Sequence, residues 1–242
     1  LYRLYGSFLS AKEQASIQAQ LEATLRKGLT AAVDPGKARL YFDALAGLAK
    51  TPASLDFLRE VWSGKLSLPD LPLSETDRIK LAERLALKIP EDAASILAAQ
   101  REQIENPDNL RRFDFVAAAL SPEDTARDKF FSSLADPRNR TTESWVLDAL
   151  NYLHHPSRVQ QSQRYILPSL ELLEEIQVTG DIFFPAGWVG STLRNHRSPK
   201  AVQIVDQFLS ERPGYNPQLR MKVLQAADMA RRASDCSQGV AP

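Results

Sequence analysis

The chain has 242 residues, 30 of them basic and 30 acidic, so its formal net charge is zero and no overall basic field exists to hold nucleic acid. Hydrophobic residues make up 43%, the level of an ordinary folded protein, yet no apolar run approaches the roughly 20 residues needed to span a bilayer. The one cysteine, Cys236, cannot form an internal disulfide and does not settle a redox compartment.

The first predicted helix follows Ser10-Ala11-Lys12-Glu13, a capping-box pattern, and carries Ile17, Leu21 and Leu25 before ending near Gly28. From there a polar residue followed by proline recurs: Asp34-Pro35, Thr51-Pro52, Asn106-Pro107, Ser121-Pro122, Asp136-Pro137, Ser198-Pro199 and Asn216-Pro217. Each pair fits an N-cap and first helical position. The cap oxygen accepts from an orphan amide, and proline has no N–H to leave unsatisfied.

Asp34-Pro35 opens a helix with Leu40, Tyr41, Leu45 and Leu48; Thr51-Pro52 opens one with Leu55, Leu58, Val61 and Trp62, stopped by Gly64. Pro69 and Pro72 make 66–73 a loop. A helix follows Ser74 with Ile79, Leu81, Leu85 and Leu87, and Pro90 ends it; the next carries Ala94, Leu97 and Ala98. Ser121-Pro122 is expected to start the helix of Phe130, Phe131 and Leu134. After Asp136-Pro137, residues 138–142 read as a polar connection, followed by a helix with Trp145, Val146, Leu150 and Leu153 that His155-Pro156 breaks. The stretch from Tyr165 to Ile176 reads as one helix with a kink at Pro168, and Thr179-Gly180 stops it. Helices from Pro185, Pro199 and Pro217 complete the chain.

The pattern predicts an all-α fold: a HEAT-like array of roughly a dozen antiparallel helices forming an α-α superhelix, with helix pairs of roughly 30 to 40 residues. No linker rich in glycine or serine appears, so 1–233 reads as a single helical-repeat domain and 234–242 as a polar, disordered tail. The chain does not begin with methionine, and its first residues, Leu1 to Leu9, are apolar and uncapped. Both features lead to the expectation of a fragment of a longer protein.

Catalytic chemistry finds little to use. The three histidines are His154, His155 and His196, and no two have the four-residue spacing of a zincin site. His154 and His155 stand at a helix end, where an imidazole is expected to bond the last free carbonyls. Cys236 lies in the expected tail, and no nucleophile elbow or phosphate loop occurs. Glu123-Asp124 and Glu174-Glu175 read as solvated helix surface, as do the basic groups Arg111-Arg112, Arg138 with Arg140, Arg194 with Arg197, and Arg231-Arg232. Phe130-Phe131, Trp145, Phe183-Phe184 and Trp188 read as inter-helix core.

Two stretches go beyond helix grammar. One holds Arg127-Asp128-Lys129-Phe130-Phe131, Asn139-Arg140, Glu143-Ser144-Trp145-Val146 and Tyr152-Leu153-His154-His155-Pro156. The other holds Tyr165 to Leu173, Gly180-Asp181-Ile182-Phe183-Phe184-Pro185, Trp188, His196, Phe208-Leu209, Pro213-Gly214-Tyr215-Asn216-Pro217 and Leu224 to Asp228. Together they resemble the C-terminal helical domain of bacterial zinc aminopeptidases of the aminopeptidase N type. The resemblance covers roughly the last half of the chain, and the helix density of the first half is compatible with it.

The resemblance implies a non-catalytic, HEAT-like domain that packs on a catalytic domain and shapes the chamber over its active site. It implies no catalytic residue and no metal ligand in this chain, with zinc held by the catalytic domain of the parent. The implied partners are that catalytic domain and a peptide substrate, with no nucleic acid and no membrane span. Arg194, His196 and Arg197, near the Ser198-Pro199 helix start, are the candidate peptide contacts. The parent's compartment stays open between cytoplasm and export. The alternative reading is a free-standing helical-repeat scaffold that binds a protein or peptide.

Overall fold

The computed structural model describes Tyr5, residues 9–69 and residues 71–237. The described residues form an all-α array with no strand. Thirteen helices of six residues or more can be numbered among them: α1 (Ala11–Thr30), α2 (Pro35–Leu48), α3 (Pro52–Trp62), α4 (Glu75–Lys88), α5 (Ala93–Glu102), α6 (Pro107–Leu120), α7 (Asp124–Ser133), α8 (Glu143–Leu153), α9 (Ile166–Glu171), α10 (Leu173–Thr179), α11 (Phe184–Leu193), α12 (Pro199–Ser210) and α13 (Pro217–Ser237). The last continues through Ser237, into the stretch expected to be a disordered tail. The expectation about the uncapped first residues lies largely outside the described residues.

The chain divides into two compact units, residues 1–113 and 114–242. No linker marks the division, which falls within α6.

In the first unit α1 packs on α2, α3 on α4, and α4 on both α2 and α5. The interior gathers Phe42, Leu45, Leu58, Trp62, Leu85 and Ile96. Fully burying a side chain of this size contributes about 1.5–3 kcal/mol. The caps are those the sequence predicts. Ser10 and Ser74 form capping boxes with Glu13 and Asp77, and Asp34 and Thr51 accept from Lys37 N and Ser54 N. Gly64 takes φ 76°, the left-handed conformation that stops α3. α1 runs past Gly28 to Thr30, because Gly28 serves packing: a Cβ there would lie 2.3 Å from the Tyr41 ring.

A buried carboxylate binds this unit together. Glu22 is 1% exposed and accepts from Lys50 N at 2.6 Å, from Thr51 N at 3.1 Å and from the Thr51 hydroxyl. It thereby places negative charge at the N-terminus of α3, the favourable end of the helix dipole. Burial raises its pKa, but the hydrogen bonds from Ser54, Thr51, Lys50 N and Gln18 outweigh that and leave it below its ordinary 4.5. At the same junction, where α2 ends, Lys88 Nζ donates to Gly47 O at 2.8 Å and Ala49 O at 2.6 Å.

In the second unit α8 and α13 both pack on α11, α12 packs on α13 and α9, and α10 lies against α11. Trp188 is fully buried at the centre and donates through Nε1 to Ser169 O at 3.0 Å. Ser198 and Asn216 cap their helices as expected, as does Asn106 in the first unit. Ser121-Pro122 does not open α7. Ser121 Oγ accepts from Glu123 N, and the Ser121 and Pro122 carbonyls accept from the buried Arg127, so the helix starts at Asp124. Asp136-Pro137 opens a 3-10 turn, Pro137–Arg140.

The expected long helix around Pro168 is broken into shorter pieces. A helical turn at Val159–Ser162 and a 3-10 turn at Gln163–Tyr165 precede α9, and Leu172 separates α9 from α10. Pro168 becomes the third residue of α9, where a missing N–H costs no intrahelical bond.

Candidate functional site

A groove lies in the second unit, between α7 and the turn that leads into α9. Its volume is ≈ 530 Å³, and it is open to solvent. Its apolar lining comes from Phe131, Ala135, Pro168 and Leu172, and its charges from Asp128, Arg164 and Glu171. No spacing along the chain marks this groove, because its walls come from distant segments, Asp128 and Tyr165 among them.

Tyr165 organises one side. Its hydroxyl donates to Asp128 Oδ1 at 2.6 Å, and Arg164 Nη2 donates to the same hydroxyl at 2.9 Å. Arg164 also reaches Asp128 Oδ1 through Nε at 2.9 Å and Asp124 Oδ2 through Nη1 at 3.3 Å. Phe131 stacks on the Tyr165 ring at 4.8 Å between centroids. Burial and the accepting Asp128 carboxylate push the phenol pKa up, against the pull of Arg164. Tyr165 is therefore a protonated donor at neutral pH. On the rim, Glu171 faces Arg212 at 3.7 Å. The arrangement suits binding, because its charges are partnered and it presents no activated nucleophile.

Edge-on to Tyr165, at 6.2 Å between ring centroids, stands His154. This histidine is fully buried, and its Nδ1 lies 2.9 Å from Nε2 of His196, itself 1% exposed. The Nε2 of His154 has no hydrogen-bond partner. Burial drives His196 down to about 4, and burial plus the neighbouring His196 drives His154 well below its ordinary value. Both rings are neutral at pH 7, so a single N–H joins them.

These positions correct several expectations. His154 turns inward to His196 instead of capping α8. His155 Nδ1 accepts from Ser157 N at 3.2 Å, so it caps the turn that follows instead of the helix that precedes it. Arg194, His196 and Arg197 do not form one open face. Arg194 is exposed at the end of α11, His196 is buried, and Arg197 is half-buried with its pKa lowered by that burial. Phe183 is not core: it is 75% exposed, while Phe184 is buried.

The basic clusters are largely committed. Arg112 pairs with the buried Glu83 at 2.6 Å, and Arg111, Arg138, Arg231 and Arg232 pair with Asp108, Asp136, Asp206 and Asp228. Arg140 is buried and donates to Leu134 O and to Glu175, so neither Arg140 nor Glu175 is simply solvated surface. Arg158, also buried, donates to Ala119 O at 3.0 Å and Leu120 O at 2.9 Å, closing the end of α6. Burial lowers its pKa to about 10.

Among the described residues no three His, Cys, Asp or Glu side chains gather where they would hold a metal ion. None of their helices is long and apolar enough to cross a membrane. No family model matches the chain, and no curated protein matches it.

Proposed function

We propose that this chain is the non-catalytic C-terminal helical domain of a zinc-dependent aminopeptidase, packing on the catalytic domain and shaping the peptide chamber. The observation that carries this reading is where seven of the residues behind the resemblance lie, although Ile182 and Phe183 among the others are exposed. Trp188, Phe184, Tyr165, His154, His196, Arg127 and Arg140 all belong to the buried interior of the second unit. Residues that specify one another's packing speak for a shared architecture, and the all-α array is the architecture that the resemblance implies. In this reading zinc, general base and substrate amine are held outside the chain, whose own part is steric. A helical wall limits peptide length and keeps folded proteins and bulk water from the metal.

The test is hydrolysis of amino-acid chromogenic substrates with zinc, by this chain alone and by a mixture with the separately made catalytic half of its parent. The expected result is silence from the chain alone and restored or altered activity in the mixture. Activity from the chain alone overturns the reading. Failure of the halves to associate moves the assignment to the second reading, a free-standing scaffold for a peptide or protein. The groove at Asp128, Arg164 and Tyr165 favours that second reading, since it offers a partly apolar site within a single unit.

A further inference from the structure

The last turn of α10 and the loop to α11 display three large apolar side chains: Val178, Ile182 and Phe183 are 85%, 70% and 75% exposed. This display is built. Asp181 N donates to Glu143 Oε1 at 2.7 Å, and Phe183 N donates to Asp181 Oδ1 at 2.9 Å. Gly180 closes α10, and a Cβ there would lie 2.7 Å from the Phe184 ring and 3.0 Å from Ile176 O. Negative charge borders the loop. Glu143, Glu174 and Asp181 have no ion pair among the described residues, nearby Arg140 is committed to Glu175, and these three carboxylates outweigh Lys222, whose Nζ donates to Gln177 Oε1 at 3.1 Å.

A second set of exposed apolar side chains lies in the first unit, just before and within α2. Val33 and Leu40 are 87% and 72% exposed, and Tyr41, its ring against Gly28, is 37% exposed. Its border is basic. Lys27 stands in the last turn of α1 and Arg26 just before it, over the Phe57 ring, while Lys37 pairs with Asp34 at 3.6 Å and Arg39 with Asp43 at 3.8 Å, so the balance of charge is positive. Exposed apolar groups rimmed by charge mark interaction surfaces, and opposite rims steer two such surfaces together.

We propose that the Val178–Ile182–Phe183 loop of one copy docks on the Val33–Leu40–Tyr41 face of a second copy, acidic rim against basic rim. The two surfaces are unlike, so the contact is head-to-tail. Each is small, so association is weak and rises with protein concentration. The proposal is independent of the aminopeptidase reading: it concerns only copies of this chain.

The experiment is analytical ultracentrifugation of the full chain over a concentration series at low and high salt. The expected result is an average mass that climbs above one copy with concentration and falls back with salt. Phe183→Asp and Leu40→Asp should each lower the association constant at least about tenfold, as loss of an anchoring apolar contact does. Both side chains are exposed, so the melting temperatures of the variants should match the parent's. Glu174→Lys and Lys27→Glu should each weaken association alone. Mixed together they should recover it, since the altered loop of one then faces the altered surface of the other.

A single-copy mass at every concentration overturns the proposal. So does association untouched by Phe183→Asp, or lost with Phe183→Asp but untouched by Leu40→Asp. Flotation with phosphatidylcholine vesicles that Phe183→Asp abolishes, without self-association, would assign the loop to a membrane and also overturn it.

Discussion

His154 Nδ1 meets His196 Nε2 at 2.9 Å inside the second unit, and the two rings come from positions 42 residues apart. The contact joins the end of α8 to the segment that follows α11. Asn195 strengthens the same junction by donating to His154 O at 2.9 Å.

The pair makes this unit acid-sensitive well above the carboxylate range. Both folded pKa values lie below the ordinary histidine value of 6.5, with His196 at about 4. The unfolded chain therefore binds more protons between those limits, and stability rises with pH there. It is fully present above about 6.5 and is lost as pH falls toward 4. Urea midpoints at pH 7, 6 and 5 should fall step by step for the parent. His196→Gln should flatten that slope and lower the midpoint at pH 7, by about 1–3 kcal/mol of stability for a disrupted buried hydrogen bond.

Glu22→Gln tests the tie at the start of α3. The amide puts a donor where the Lys50 and Thr51 amides need an acceptor, at a cost of about 1–3 kcal/mol at pH 7. Its sign is that of a carboxylate with a lowered pKa: the stabilisation is present above the ordinary 4.5 and is lost as pH falls through the folded value. Thermal melts of parent and variant should differ most at neutral pH and converge in acid.

Arg158→Met removes two donors from Ala119 O and Leu120 O while retaining most of the apolar stem. Stability should drop by about 1–3 kcal/mol, because two buried carbonyls lose their partner. Arg158→Lys should recover part of this, since one ammonium cannot reproduce the fixed fork of a guanidinium. Chemical denaturation of the three proteins ranks them.

Gly180→Ala should destabilise through a clash. The added methyl meets the Phe184 ring at 2.7 Å and Ile176 O at 3.0 Å. Overpacking of this kind costs about 1–3 kcal/mol. Hydrogen exchange should show its largest increase at the end of α10 and the start of α11.

The helix starts were legible because their chemistry is local. A cap oxygen and an amide three residues on are enough to read Asp34, Thr51, Asn106, Ser198 and Asn216. Ser121 failed because Arg127 claims the carbonyls around it, a competitor the dipeptide does not display. The groove and the histidine pair were illegible for a related reason. Tyr165 with Asp128, and His154 with His196, depend on how distant helices pack, and no spacing along the chain encodes that. Phe183 misled because adjacent aromatics on one turn can face opposite ways, and only Phe184 turns inward.

Each unit carries its own optical reporter. Trp62, nearly buried in the first, donates to Gln100 Oε1 at 2.7 Å, and Trp188 is sealed in the second. Trp145 is half-buried in the second unit as well, so Trp62→Phe leaves an emission signal that comes from that unit alone. Comparing its denaturation curve with far-ultraviolet ellipticity, which senses both units, distinguishes one cooperative melting event from two. Coincident curves mean that both units unfold in one cooperative event, and separated curves mean that each half of the chain keeps its own stability.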